Sequence, residues 1–206
     1  MPRSINSRTT LALSVIAIVL VVDQIIKFIV KTNMWIGETI DVTSWFKIFF
    51  VENHGMAFGM DFIGTYVLAL FRVLAIFGFS CLLFNLIRKR AKFGLIACWS
   101  CVVAGATGNL IDNCFYGLVF TASGIHHPPI SSVVPWGEGY GDFLTGKVVD
   151  MFYFPLFTWP DWMPLVGGDV FFGAIFNFAD AAISCGAVAL ILFYRRWLTA
   201  DYLFHR

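Results

Sequence analysis

The chain has 206 residues, of which 59% belong to the hydrophobic set and only 13% are charged, with a formal net charge of +1. Soluble domains carry about 25% charged residues, so this chain has too few charges to cover the surface of a soluble domain. The small net charge also excludes a nucleic-acid partner, because such binding needs a broad basic field. These values predict a single membrane-embedded domain over residues 1–206.

Four segments are apolar over the roughly 20 residues that a membrane-spanning helix needs. They are predicted at about 11–30, 62–87, 93–113 and 176–198. The first segment also has features of a cleaved signal peptide. We favour a retained helix, because Asp23, Gln24 and Lys27 interrupt the apolar run and no cleavage site follows Val22.

Lys and Arg residues are divided unequally between the flanks of these spans. Nine lie beside the termini and in the 88–92 turn, whereas three lie in the segments 31–61 and 114–170. The positive-inside rule therefore predicts cytoplasmic termini and two extracytoplasmic segments. Both segments contain tryptophans that are typical of an interfacial aromatic belt, namely Trp35, Trp45, Trp136, Trp159 and Trp162.

The outer segments are expected to carry structure of their own. Aromatic and β-branched residues from Phe46 to Val51 predict a strand. The 114–170 segment is far longer than an ordinary connection, and loops of that length are mostly functional or disordered. Within it, the string Gly139-Tyr140-Gly141-Asp142 is interpreted as a turn and not as a catalytic motif.

Three aspartates, Asp23, Asp112 and Asp180, fall inside predicted spans, where a carboxylate costs a few kcal/mol. Asp23 and Lys27 are four residues apart on one helix face, so they can form a packing ion pair or take part in chemistry. Small residues at Gly105 and Gly108 allow a neighbouring helix to approach closely.

Two further aspartates suggest a reaction. Asn177 is a candidate N-cap that places Asp180 in the first helical turn, where it either complements the helix dipole or acts chemically. Asp150 lies beside the membrane, 30 residues earlier. If these carboxyl groups meet, they share one proton, and the pair can activate water and protonate a leaving amine. This is aspartic-protease chemistry, which needs no metal and no cofactor; the sequence leaves open whether the two acids meet.

Five blocks then occur in the order found in the lipoprotein signal peptidases, or signal peptidase II. They lie at 23–27, 52–59, 105–112, 148–151 and 176–183. The chain resembles this family, which implies an all-α membrane protein with four transmembrane helices, a small extracytoplasmic β-cradle and a periplasmic helix or loop. The resemblance also implies an aspartic endopeptidase of the bacterial inner membrane that removes signal peptides from diacylglyceryl-cysteine prolipoproteins.

The resemblance further implies roles for individual residues. Asp150 and Asp180 match the catalytic pair. Substrate-lining positions match Asn53, Gly55, Asn109, Asn113, Asn177 and Ala179. Structural support is expected from Asp23, Lys27, Gly108 and Asp112. The expected partners are lipid-modified prolipoproteins and membrane lipids, and we expect a monomer without cofactor or metal.

Two features depart from the family pattern. Asn113 stands where family members commonly have Arg, which leaves Arg72 and Lys147 as candidates for the positive charge. The segment from Cys114 to Lys147 is longer than usual, and its composition fits either an ordered flap or a mobile lid.

Two other classes of function remain open. A small ion- or proton-coupled transporter could use Asp23, Asp112 and Asp180 as a relay. A structural scaffold would tolerate changes at both Asp150 and Asp180. No internal repeat and no pair of broken helices are visible, which favours the peptidase over the transporter.

Overall fold

The computed structural model describes residues 3–53, 65–199 and 202. In this part of the chain, four helices are long and apolar enough to cross a membrane, which confirms the four predicted spans. They are α1 (Arg3–Asn33), α2 (Thr65–Arg88), α3 (Phe93–Ile111) and α5 (Phe178–Tyr194). Helix α1 is longer than its apolar run, because its polar ends also form helical hydrogen bonds.

The third predicted span does not stop at the end of α3. It continues through a π-helical turn at Asp112–Tyr116 and a short helix, α4, at Gly117–Val119. The apolar helical stretch therefore reaches Val119, beyond the predicted end at Asn113.

The chain folds into two compact units. The helical unit comprises Met1–Ile25, Met56–Ile111 and Phe178–Arg206, and the sheet unit comprises Ile26–Gly55 and Asp112–Asn177. The first catalytic candidate, Asp150, belongs to the sheet unit, and the second, Asp180, belongs to the helical unit.

In the helical unit, α3 and α5 approach each other at glycines. A Cβ atom at Gly105 would collide with the carbonyl oxygen of Ala179, and one at Gly186 would lie 2.8 Å from the carbonyl oxygen of Cys98. This confirms that Gly105 lies at a close helix contact, where a larger side chain would separate the backbones. The buried core of this unit includes Leu83, Leu86, Leu95, Ile96, Val103 and Leu190.

The sheet unit contains six strands in its described residues. They are β1 (Thr39–Asp41), β2 (Lys47–Asn53), β3 (Val148–Tyr153), β4 (Phe157–Thr158), β5 (Val170–Phe171) and β6 (Ile175–Phe176). Four form an antiparallel sheet in the order β1-β2-β3-β6, and β4 and β5 form a separate hairpin. The predicted strand is confirmed as β2, which extends to Asn53 because its last residues pair with β3.

The segment between α4 and β3 is a loop in this structure. Residues 120–147 contain no helix, so this part of the expected periplasmic helix or loop is a loop. Main-chain hydrogen bonds tie the loop together, including Val134 N–H to Val119 O at 2.9 Å and Tyr140 N–H to Phe120 O at 2.8 Å. Residues 139–141 form a bend, which confirms the interpretation of the Gly-Tyr-Gly-Asp string as a turn.

The sheet unit has its own apolar core beneath β2 and β3. Phe50, Val149 and Met151 have no exposed surface, and Val30 and Phe120 pack against them. Because side chains alternate along a strand, burial of Val149 and Met151 on one face directs Asp150 to the other.

Candidate active site

Asp150 occupies the middle of the sheet and is 3% exposed. It is flanked by paired strands on both sides, with Val51 of β2 opposite Asp150 and Phe176 of β6 opposite Phe152. Asn53 lies two residues beyond Val51, so it is on the same face as Asp150. Its Nδ2 donates to Asp150 Oδ2 at 3.3 Å.

A second amide reaches Asp150 from the end of β6, the strand that pairs with the other edge of β3. Asn177 follows β6 directly and precedes α5, the position that the N-cap prediction gave it. Its buried side-chain Nδ2 donates to Asp150 Oδ1 at 2.7 Å. Each carboxylate oxygen of Asp150 therefore accepts an amide hydrogen bond, and ionised acceptors form the stronger class of such bonds.

Asp180 lies in the first turn of α5, as the sequence predicted. Its side chain is half-buried, and its Oδ1 accepts a hydrogen bond from Asn109 Nδ2 at 2.8 Å. The helix macrodipole places partial positive charge at this end of α5, beside the Asp180 side chain.

Asp23 holds the start of α5 in place. Its Oδ1 accepts the main-chain N–H of Ala179 at 2.9 Å, which satisfies one of the donors left free in a first helical turn. Gln24 donates to the other oxygen, Oδ2, at 3.1 Å. A Cβ at Gly108 would lie 2.7 Å from that same oxygen, so the glycine makes room for the carboxylate.

Lys27 and Asp112 form an ion pair in the sheet unit. Lys27 Nζ lies 2.7 Å from Asp112 Oδ2, and neither side chain has exposed surface. Asp112 also accepts the main-chain N–H of Val149 at 3.3 Å, one residue before Asp150. The sequence did not reveal this pair, because helical spacing relates only positions close together on one helix.

A second set of charges surrounds Glu52, which directly precedes Asn53. Its carboxylate contacts Lys31 Nζ and lies 3.3 Å from Lys147 Nζ. Both Lys31 and Glu52 are buried, whereas the Lys147 side chain is 31% exposed. The pairing of Lys31 with Glu52 was not predicted from the sequence. The only available signal for it was that the outer segments contain few other basic residues.

Tyr140 packs against the two lysines of this set. Its ring centroid lies 5.0 Å from Lys31 Nζ and 5.6 Å from Lys147 Nζ, within the range of cation–π attraction. Its hydroxyl accepts the Lys147 main-chain N–H at 2.7 Å. Burial raises the pKa of Tyr140 above its ordinary value, so the phenol stays neutral at physiological pH.

Asn113, which replaces the common family Arg, closes the base of the long loop. Its buried Nδ2 donates to Gly146 O at 2.7 Å, and Gly146 N–H donates to Asn113 O at 2.9 Å. A Cβ at Gly146 would collide with the carbonyl oxygen of Asp112, so glycine is required for this approach. Of the two candidate cations, Lys147 follows Gly146 directly and Arg72 is half-buried in α2.

The remaining predicted position, Gly55, lies outside the described residues. Within the described residues, no group of three or more His, Cys, Asp or Glu side chains is placed to hold a metal ion. The carboxyl groups of Asp150 and Asp180 are held by amide donors, which can orient a carboxylate for proton transfer to or from water.

Comparison with known proteins agrees with this chemistry. Residues 15–196 match the family model described as Signal peptidase (SPase) II. A lipoprotein signal peptidase of Porphyromonas gingivalis is 45% identical over 188 residues, covering 89% of this chain and 82% of the relative. One of Amoebophilus asiaticus is 34% identical over 182 residues, covering 84% of this chain and 72% of the relative.

The fold is also similar to solved structures. A bacterial membrane enzyme determined by the in meso method at 1.9 Å resolution superposes with a TM-score of 0.59 and 22% identity, covering 92% of this chain and 93% of that one. A second, at 2.3 Å resolution, gives a TM-score of 0.60 and 21% identity, covering 91% of this chain and 89% of that one.

These matches define a membrane-spanning bacterial protease of the aspartic type. The chain belongs to the signal peptidase II family. This membership does not favour the transporter alternative.

Proposed function

We propose that Asp150 and Asp180 are the catalytic acids with which this chain removes signal peptides from diacylglyceryl-cysteine prolipoproteins. The observation that carries the proposal is that asparagine side chains hold both acids in the same way. Each accepts an amide hydrogen bond from an asparagine that the family resemblance assigns to the site: Asn53 and Asn177 for Asp150, and Asn109 for Asp180.

The reaction needs one ionised and one protonated acid, which is the state favoured when two carboxyl groups share a site. The ionised acid takes a proton from water as the water oxygen attacks the scissile carbonyl carbon. The protonated acid donates a hydrogen bond to the carbonyl oxygen as negative charge develops there. It then transfers its proton to the leaving amine as the carbon–nitrogen bond breaks.

The substrate chemistry is suited to a membrane protein of this kind. A signal peptide is an apolar helix, and a diacylglyceryl cysteine carries two acyl chains, so both parts of the precursor remain in lipid. The polar asparagines and aspartates then have to recognise only the peptide backbone beside the modified cysteine. Asn113 and Ala179 are proposed to line the substrate with the three asparagines above.

We further propose that the protein is a monomer in the bacterial inner membrane, surrounded by lipid. The excess of Lys and Arg beside the termini supports cytoplasmic termini, with the two acids facing the periplasm.

The test is cleavage of a purified lipid-modified precursor by Asp150→Asn and Asp180→Asn. We expect both variants to accumulate in the membrane and neither to release signal peptide. Asp41→Asn is the matched control, because Asp41 is 70% exposed in a surface ion pair with Lys47. Cleavage by either active-site variant would refute the assignment, and ion flux in proteoliposomes that is lost in Asp180→Asn would instead support transport.

A further inference from the structure

The hairpin formed by β4 and β5 presents apolar side chains that nothing in the sheet unit covers. We call residues 157–171 the aromatic hairpin. At its base, the rings of Phe157 and Phe171 stack with centroids 4.7 Å apart, and Trp159 packs edge-on against both. These ring contacts hold the base of the hairpin together.

The tip of the aromatic hairpin, residues 159–169, forms several main-chain hydrogen bonds of its own. Trp159 N–H donates to Asp169 O at 2.9 Å, and Gly168 N–H donates back to Trp159 O at 3.0 Å. Gly167 N–H donates to Met163 O at 2.9 Å. This matters because the acyl region of a bilayer provides no hydrogen-bond partners, so bonds already made within the tip lower the cost of approaching that region.

The side chains at the tip point away from the unit. Trp162 is 79% exposed, and Leu165 is 101% exposed, the full surface of a free leucine. Leu165 also has a φ of +71°, a left-handed conformation that is unfavourable for a residue with a Cβ. Its side chain gains no burial within the unit that offsets this cost, which points to a contact outside the chain.

The charge of this region indicates which partner it fits. Residues 154–176 contain no Lys or Arg, and their only charged residues are Asp161 and Asp169. Attraction to anionic lipid or to an acidic partner is therefore absent, and the contact must be apolar. Exposed Trp and Leu side chains next to polar groups favour the boundary between lipid headgroups and acyl chains.

A short connection joins the hairpin to the start of α5. Six residues lie between Phe171 and Phe178, where α5 begins, so this stretch of chain can extend over at most about 25 Å. We propose that the aromatic hairpin inserts Trp162 and Leu165 into the lipid boundary at the end of the membrane where α5 begins. The carboxylates of Asp161 and Asp169 limit insertion to headgroup depth, since deeper burial would desolvate them.

The test measures the depth of nitroxide labels in the full-length protein. Native cysteines are first replaced, and single cysteines are then introduced by Leu165→Cys, by Leu192→Cys on the exposed face of α5, and by Glu138→Cys in the polar loop. Each labelled protein is placed at one chain per nanodisc of phosphatidylcholine. Collision with oxygen, which partitions into lipid, is compared with collision with a water-soluble nickel chelate.

We expect the label at position 165 to lose nickel accessibility and gain oxygen accessibility, as at position 192, while the label at 138 remains aqueous. Salt should leave this result unchanged, because no cation contributes to the contact. Nickel accessibility at 165 equal to that at 138 would overturn the proposal. Shielding that appears only with two chains per disc would also overturn it, by assigning the surface to a second copy.

A second measurement, of tryptophan fluorescence, is made on the protein with its native cysteines retained. Brominated phosphatidylcholine, which quenches tryptophan on contact, should quench a smaller fraction of the fluorescence of Trp162→Phe than of the parent protein. An unchanged quenched fraction would show that Trp162 does not contact lipid and would equally reject the proposal.

Discussion

The two units hold their aspartates by different physical means. In the sheet unit, Asp150 lies on a strand that is hydrogen-bonded on both sides, and both buried ion pairs adjoin the preceding residue, Val149. Asp112 accepts the Val149 N–H, and Glu52 lies opposite Val149 on β2. In the helical unit, Asp180 depends on the first turn of a helix that packs closely against α3 at Gly105. The sheet unit should therefore be sensitive to loss of charge, and the helical unit to added volume.

The largest expected effect is in the sheet unit, at the buried pair of Lys27 and Asp112. Lys27→Met leaves the Asp112 carboxylate buried without its cation, which should lower the free energy of unfolding by about 3–5 kcal/mol. Denaturant unfolding in detergent micelles measures this loss. The comparison variant is Lys47→Met, whose pair with Asp41 is largely exposed and contributes about 0–1 kcal/mol.

A second variant separates charge from packing in the same pair. Lys27→Met combined with Asp112→Asn removes the stranded charge and keeps an oxygen that can accept the Val149 N–H. Part of the lost stability should return. If the double variant is no more stable than Lys27→Met, the pair acts through packing, and the proposed sensitivity of this unit to charge is wrong.

The next prediction concerns the asparagines that donate hydrogen bonds to the two aspartates. Asn177→Ala and Asn109→Ala each remove a hydrogen bond to a carboxylate, which contributes about 1.5–3 kcal/mol. We expect kcat for precursor cleavage to fall about 10- to 100-fold in each, with a smaller change in KM, because the acids act on the transition state. Asn33→Ala is the control, since Asn33 is exposed and its amide donates to the carbonyl of Ile29. A rise in KM at constant kcat would instead show that these asparagines contact the substrate and do not support the acids.

Much of the helical unit was predictable because its signals are local. Hydropathy marks the spans, small residues at 105 and 108 mark a close contact, and the position of Asp180 three residues after a candidate N-cap marks a first turn. Each of these features lies within a few residues of chain. The role of Asp23 was less accessible, because its hydrogen bond to Ala179 joins residues 156 positions apart.

The sheet unit was less predictable because its key contacts are distant in sequence. The strand at 46–51 was visible, but its partner β3 begins almost a hundred residues later. The register that brings Asn53 to Asp150 depends on pairing with that distant strand and cannot be read from either strand alone. The same is true of Glu52 with Lys147 and of Asn113 with Gly146, which depend on how the long loop returns.

Added volume should have opposite effects at two glycines of the helical unit. Gly105→Ala places a methyl group against the carbonyl oxygen of Ala179, so we expect a loss of about 1–3 kcal/mol of stability. Gly78 lies in α2 with no atom within 4 Å of its would-be Cβ, so Gly78→Ala should gain about 0.5–1 kcal/mol. Equal changes in stability at both glycines would mean that α3 and α5 separate easily. Close packing against α3 would then not be what supports Asp180.

The smallest effect concerns Tyr140 in the sheet unit and depends on pH. Because burial raises the pKa of Tyr140 in the folded state, the folded protein holds this proton more tightly than the unfolded chain. The resulting stability is complete below the unfolded pKa of about 10 and falls as the pH rises further. Tyr140→Phe loses the bond from Lys147 N–H, about 1 kcal/mol at neutral pH, but has no phenol to ionise. The stability gap between parent and variant should therefore narrow above pH 10 in denaturant unfolding, and a constant gap would show that Tyr140 titrates as it does in the unfolded chain.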